Sequence, residues 1–327
     1  MLRRIRVVTK LQWPSFKNVA KTVRHNLSSY CECTIHDANT VKPGGNIIFI
    51  GTADTLTIHS IRRLVPESNV LFYAATEGLS RLDETDLETA RYLRIVAVSN
   101  FAKEMMEKSG LAVAGVIHHG IDMRDLSTDA QFYRTLKKKL RDRKVILTVS
   151  ANHLRKGLDH LLSAHKIVEE QTSDAFLVLH SQRRGYCDLV SQGKQLGLNR
   201  IWFTNKFGRM SQRKLNALYK LCTLYVQPSL SEGFGLPILE AFRFNKPPIA
   251  VNAPPFDEII THGRTGILFP LKEVTWSPSE SIDFRMNEYA AHDMAKAIVM
   301  LLENQEQVAE ISRRIATENS NWEAKRF

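Results

Sequence analysis

Cysteine is scarce here and badly placed for a covalent framework. The four in 327 residues are Cys31, Cys33, Cys187 and Cys222; they have neither the paired spacing of a zinc site nor the density of a secreted disulfide scaffold. Free thiols in a reducing compartment are expected, although Cys31 and Cys33 alternate along a strand and share a face, as a redox pair would. No apolar run approaches the length of a bilayer crossing. Met1-Leu2-Arg3-Arg4-Ile5-Arg6-Val7-Val8 lacks the apolar core of a secretory leader. Neither a solenoid-length repeat nor a low-complexity block occurs. These absences leave a cytoplasmic protein as the expectation, with peripheral attachment to a membrane as the other setting.

Acidic residues are also in deficit: 45 Lys and Arg against 34 Asp and Glu give a formal charge of +11. Such a balance attracts anions, whether nucleotides, nucleic acid or an anionic membrane surface. The 43% apolar fraction is that of an ordinary globular protein. At this length one core is too few, and two domains are expected.

Taken in order, the chain alternates short buried strands with helices, the pattern of a parallel sheet in a doubly wound α/β domain. Strands are predicted at Arg4 to Thr9, Cys33 to His36, Asn46 to Ile50, Val70 to Ala75 and Ile95 to Val98. Between them lie predicted helices at Phe16 to Leu27, Thr55 to Leu64 (with Arg62 and Arg63 on its wet side), Leu87 to Tyr92, and Asn100 to Ser109 capped by Ser99. A strand from Gly115 opens through His118-His119-Gly120 and ends a first domain at residue 122. Residues 123–144 form a linker whose helix, Gln131 to Arg143, carries Lys137, Lys138, Lys139, Arg141 and Arg143. With no aromatic interleaved after Tyr133, base stacking has no platform; nucleic acid is disfavoured, and a solvated linker helix is expected. A second domain, 145–327, begins with the strand Val145 to Val149 and the amphipathic helix Leu158 to Glu169. Strands at Ala175 to Leu179, Ile201 to Thr204, Leu224 to Val226 and Pro247 to Val251 follow, and terminal helices at Asp293 to Asn304 and Gln307 to Glu318 close it.

The stretch Ser229-Leu230-Ser231-Glu232-Gly233-Phe234-Gly235-Leu236-Pro237-Ile238-Leu239-Glu240-Ala241 concentrates the chemistry. A strand ends at Pro228, a glycine loop follows, and a helix opens with Pro237 in its first turn, where a missing N–H costs nothing. The free N–H groups of such a helix start face whatever lies above the sheet. Two carboxylates there would repel phosphate, so Glu232 and Glu240 are expected to accept hydrogen bonds from hydroxyls. A ligand with both phosphate and hydroxyls is a nucleotide sugar.

In this frame, two glutamates eight apart, the stretch resembles the donor-binding segment of the family 4 retaining glycosyltransferases (glycosyl transferases group 1). Val98-Ser99-Asn100-Phe101, Gly115 to Asp122, Pro254 to Ile260 and Gly263 to Phe269 resemble the family too. The resemblance implies a GT-B fold: two Rossmann-like doubly wound domains facing a central cleft. It implies transfer of a hexose-type sugar from a nucleotide-diphosphate sugar, UDP- or GDP-linked, to a hydroxyl of a glycan, lipid-linked or protein acceptor, with retention. No further cofactor is implied. Two features depart from the family: Leu11-Gln12-Trp13-Pro14 replaces a glycine-rich loop after the first strand, and the crossover helix usual at the carboxy terminus is missing.

Leaving-group stabilisation is the main demand of such a transfer. The chain contains no Asp-x-Asp metal-binding element, so metal-independent catalysis with no metal site is expected. By the resemblance, Lys156 contacts the diphosphate. Arg155 takes the part of an arginine that stands where this chain has Ala151, since its planar fork grips two oxygens. Cations at a helix start oppose its dipole and need an anion. The resemblance further assigns Glu240 to the ribose and Glu232 to the transferred sugar. Gly233, Phe234, Gly235 and Leu236 support sugar and phosphate, and Lys206 and Phe207 lie near the base. On the acceptor side Glu77, His118 and His119 are the candidates. Two alternatives stand beside the transferase: a GT-B sugar-nucleotide epimerase, and a basic GT-B-fold binding or scaffold protein without turnover.

Overall fold

Runs such as Ile47-Ile48-Phe49-Ile50 and Val145-Ile146-Leu147, apolar without alternation, make strands that must be covered on both faces. Two six-stranded parallel sheets result, seen in a computed structural model that describes residues 4–123, 125–140 and 143–322. The first is built from β1 (Arg4–Thr9), α1 (Pro14–Leu27), β2 (Glu32–Asp37), β3 (Gly45–Thr52), α2 (Thr55–Arg62), β4 (Ser68–Ala75), β5 (Gly78–Ser80), α3 (Glu84–Ala90), β6 (Arg94–Ala97), α4 (Asn100–Lys108) and β7 (Val113–Val116). Its strand order is β2-β1-β3-β4-β6-β7.

After α5 (Ala130–Lys139) the second unit runs through β8 (Lys144–Val149), α6 (Leu158–Gln171), β9 (Ala175–His180), α7 (Leu189–Gln195), β10 (Ile201–Phe203), α8 (Gln212–Leu221), β11 (Leu224–Gln227), α9 (Leu236–Arg243), β12 (Pro248–Val251), α10 (Phe256–Ile259) and β13 (Ile267–Phe269). Its order is β10-β9-β8-β11-β12-β13, the doubly wound arrangement with a switch between β8 and β11. Then come β14 (Glu273–Ser277), β15 (Ile282–Glu288), α11 (Ala291–Glu303) and α12 (Gln305–Glu318).

Local chemistry moved some boundaries from their predicted places. The helix predicted from Leu87 begins at Glu84, because Asp83 and Asp86 close a reciprocal capping box. The linker helix ends at Lys139; Arg141, counted with it, lies outside the described residues. Arg62 is not simply on a wet face, since its guanidinium reaches the buried Asp86 at 3.0 Å and Thr89 at 3.1 Å. Cys31 and Cys33 do share a side, with Sγ atoms 3.5 Å apart as free thiols.

The hairpin β14–β15 was not anticipated. It pairs antiparallel, and β15 then pairs antiparallel with β5 of the first unit, so one small sheet joins the two halves. Gly78 is required there, because a Cβ on it would stand 2.0 Å from the Asp283 carbonyl oxygen. Arg81 and Asp283 add an ion pair across the same seam at 2.6 Å. Trp322, the last described residue, also reaches the first unit: its carbonyl accepts from the Ile121 N–H at 3.3 Å. Among the described residues no helix is long and apolar enough to cross a membrane.

Candidate active site

Ligands of doubly wound sheets lie beyond the carboxyl ends of the strands, at the switch point. In the second unit that crevice lies between the loop after β8, residues 150–157, and the loop after β11, residues 228–235. The two loops are bonded together: the Arg155 carbonyl accepts from the N–H of Leu230 at 2.9 Å and of Ser231 at 3.2 Å. β15 and the residue after it hold the second loop: Asn287 N–H donates to the Leu230 carbonyl at 2.7 Å, and Tyr289 Oη donates to the Pro228 carbonyl.

Lys156 and Glu232 meet here. Lys156 Nζ donates to Glu232 Oε1 at 2.6 Å, and the same oxygen accepts from Ser229 Oγ at 2.9 Å and Gln227 Nε2 at 3.1 Å. Arg155 reaches Glu232 Oε2 at 3.7 Å and Glu77 of the first unit at 3.0 Å. The anion that these cations were expected to need is therefore supplied by the protein's own carboxylates. Lys156 is only 9% exposed. Burial, then the neighbouring Arg155, lower its pKa against the pull of Glu232 and Glu77. Burial would raise the Glu232 pKa, but Lys156 and Arg155 outweigh it and keep the carboxyl below its usual range. Glu232 is thus an ionised group with a full set of donors, where the sequence had presented it as an acceptor open to hydroxyls.

Glu240 is separate. It rises from α9, Tyr219 Oη donates to its Oε2 at 2.8 Å, and burial pushes its carboxyl above the usual range. Gly235 stands at the cap of α9 with φ +116°, a conformation that side-chain-bearing residues avoid. Phe234 is buried beneath this loop, while Leu236 and Glu240 are half-buried. Ala151, where the family arginine was missed, begins the turn that leads to Arg155.

The first unit supplies the facing wall. Ser99 Oγ donates to the Gly233 carbonyl at 2.7 Å, and Ser231 Oγ donates to the Glu77 carbonyl at 2.9 Å. Glu77 therefore lies at the meeting point of both units. His118 Nε2 bonds Glu258 Oε2 at 3.0 Å, and its ring packs in a cluster with those of Phe234 and Trp322. His119 does not face an open cleft. It is 5% exposed, bonded through Nδ1 to Tyr73 Oη at 3.0 Å and packed edge-on to Phe234. Burial, with His118 adding to it, depresses its pKa to about 3, so the ring is neutral.

Lys206 is exposed and Phe207 half-buried after β10. Phe207 leans on the His180 ring at 5.8 Å, and His180 Nδ1 bonds Thr204 Oγ1 at 2.8 Å. Neither Lys206 nor Phe207 touches the Lys156–Glu232 cluster. Among the described residues no three His, Cys, Asp or Glu converge as ligands for a metal ion.

Sequence reasoning missed Gln227, Ser229 and Glu258. The first two flank Glu232 at five and three residues, and a search for donors near that carboxylate would have found them. Glu258 carries no such signal. Its carboxylate caps α4 from the other unit, accepting from the N–H groups of Asn100 and Phe101, each at 2.8 Å.

Residues 130–277 match the family model described as glycosyl transferases group 1. An uncharacterized glycosyltransferase of Sulfolobus islandicus rod-shaped virus 1 is 24% identical over 247 residues, which are 72% of this chain and 71% of that protein. The alpha-D-kanosaminyltransferase of Streptomyces kanamyceticus is 24% identical over 228 residues, 68% of this chain; the match spans 58% of that protein, less than two thirds of its length. Among solved structures, Anabaena HepE in complex with UDP and glucose superposes with a TM-score of 0.75 at 17% identity, over 98% of this chain and 96% of that one. At that identity the likeness is one of fold.

Proposed function

We propose, from the premise that residues 130–277 belong to the glycosyl transferases group 1 family and that the two sheets form a GT-B fold, that the protein is a retaining glycosyltransferase. It moves a hexose-type sugar from a nucleotide-diphosphate donor to an acceptor hydroxyl. The observation that carries this is the Lys156–Glu232–Arg155 cluster at the switch point, with Glu240 one helix turn and more beyond it. A diphosphate entering the crevice competes with Glu232 for Lys156 and with Glu77 for Arg155. As the bond from the sugar carbon to the phosphate oxygen breaks, its electron pair passes to the diphosphate, and both cations stabilise that growing charge. The acceptor oxygen bonds the same carbon from the same face and gives its proton to the leaving phosphate oxygen. Glu232, freed from Lys156, holds sugar hydroxyls, and Glu240 holds the ribose. The UDP and glucose in the Anabaena HepE crystal support a UDP-linked donor as the first to test, with GDP-linked donors second.

The test is release of nucleoside diphosphate from a panel of UDP-, GDP- and ADP-sugars, with melting curves beside it. A donor at a hundred times its dissociation constant adds about 2.7 kcal/mol of stability. No release and no thermal shift with any donor would end the proposal. Activity is also expected to survive excess chelator, and a loss beyond about tenfold, restored by magnesium or manganese, would remove the cations from the leaving-group role.

A further inference from the structure

Three helices of this protein pair lysines and arginines with acids along the helix. Lys103 pairs with Glu107 and Lys108 with Glu104 on α4, Lys166 with Glu170 on α6, and Arg313 and Arg314 with Glu310 on α12. Helices α5 and α8 do not. No Asp or Glu occurs within α5, nor anywhere from residue 189 to residue 231. Arg134, Lys137, Lys138 and Lys139 on α5 are exposed, as are Arg213 and Lys220 on α8 and Arg209 in the turn before it; Lys214 is half-exposed. Among the described residues none of these cations takes part in an ion pair.

The fold brings the two helices side by side. Asp129 N–H donates to the Arg213 carbonyl at 3.0 Å. Farther along, Lys214 Nζ lies 5.5 Å over the Phe132 ring and Lys220 Nζ lies 5.0 Å over the Tyr133 ring. Two described acids close by are turned to local work: Asp129 caps α5 by accepting from Phe132 N–H at 2.9 Å, and Asp125 accepts from Ser127 Oγ at 2.5 Å. What read as a solvated linker helix is half of a two-helix cationic face. Unpaired like charges at helical spacing repel one another, and an external array of anions removes that penalty.

We infer that the α5–α8 face docks on an anionic lipid bilayer. The cations form a two-dimensional array across two adjacent helices, which suits a planar surface. Both aromatic rings of α5 lie under lysine ammonium groups, so no platform for base stacking is free. Leu126, 52% exposed, sits at the rim, in the segment that Asn216 of α8 ties down through the Asp125 and Ser127 carbonyls; it places an apolar side chain where headgroups would meet the face.

Co-sedimentation of the full chain with two vesicle preparations tests this. One is pure phosphatidylcholine, and the other contains roughly one-third phosphatidylserine. Binding to the anionic vesicles alone is expected, weakening as salt rises. The triple variant Lys137→Gln, Lys138→Gln, Lys139→Gln, with an unchanged melting temperature and unchanged donor turnover, should bind them about a hundredfold more weakly, from roughly fivefold per lysine. Equal binding to both vesicles, binding to neither, or full retention by the triple variant would overturn the inference. So would binding of a DNA duplex at least as tight as that of the anionic vesicles.

Discussion

The two halves of this molecule share an architecture and differ in where their charge sits. Each is a six-stranded parallel sheet with helices on both faces. In the second half the switch lies between β8 and β11, and the loops there hold Arg155, Lys156 and Glu232 within ion-pair distance. In the first half the order reverses between β1 and β3. The loop after β1 carries Leu11, Gln12 and the exposed Trp13, and the loop after β3 carries Asp54, spent on capping α2 at Thr57 N–H. The difference teaches that the scaffold sets where a ligand can lie, while the loops set which chemistry waits there. A charged crevice suits a diphosphate, whereas the loops of the first half mix Lys10 and Asp54 with Leu11 and Trp13.

The largest expected effect tests the charged crevice. Lys156→Ala should reduce turnover on the order of a hundredfold to a thousandfold, with a smaller loss of donor affinity, because the cation helps the transition state more than the ground state. Arg155→Ala should be comparably damaging, and Ala151→Arg in that background should restore part of the loss. Normal turnover of Lys156→Ala on every donor would relocate the phosphate site.

Next come the two carboxylates within that half. Glu240→Ala should weaken donor binding by about 1.5–3 kcal/mol, the scale of a hydrogen bond to a charged group. Glu232→Ala should lower kcat more than affinity, since misplacing the reacting sugar is costly. Equal kinetic constants for both variants and the parent would leave the division of labour without support.

The seam between the halves gives a smaller, pH-dependent effect. Burial would raise the Glu258 pKa, but the His118 bond and the α4 N–H groups outweigh it and hold it below its usual value of 4.5. A carboxyl depressed in the folded state stabilises above its unfolded pKa and loses that contribution as the pH falls through the folded one. Glu258→Gln should therefore cost about 1–2 kcal/mol near neutral pH, a typical cap, and progressively less below about pH 4.5. Melting curves of parent and variant across that range should converge in acid; a gap that stays constant would mean the carboxylate charge is not what caps α4. Smallest of all is Arg81→Ala. Arg81 is half-exposed, and a surface pair is worth about 0.2–1 kcal/mol, so a Tm loss well beyond that would show the ion pair holding the β5–β15 seam by itself.

Much of this was legible in the linear chain because its signals are local. Ser99 was readable as a cap from its place before an apolar periodic run, and its side chain does accept from Ala102 N–H at 2.9 Å. Buried strands announced themselves by continuous aliphatic runs, and the Glu232–Glu240 frame by strand, glycine loop and helix in succession. Residues 273–288 gave no such sign. Val274 and Trp276 are exposed large apolar residues on a strand whose pairing runs through β15 to β5, some two hundred residues earlier in the chain. His119 was a polar residue at a strand end, and nothing beside it in sequence indicated that Tyr73 and Phe234 would enclose it.

What the amino-acid order determined by itself is the alternation of strand and helix, the caps, the glycine turns and the presence of paired glutamates and cations near two loop regions. These depend on dihedral preference, side-chain period and hydrogen bonds that span a few residues. Tertiary structure alone decided that Glu232 would spend its charge on Lys156 and that Glu77 would face Arg155. It also decided that Glu258 would cap a helix of the other half and that α8 would lie against α5 to make one cationic face. Each of these pairs groups far apart in the chain, and such meetings are set by how buried apolar surfaces pack the two sheets and their helices together. Electrostatic partnership follows that packing, because at short range and low dielectric the charge that happens to be nearest dominates.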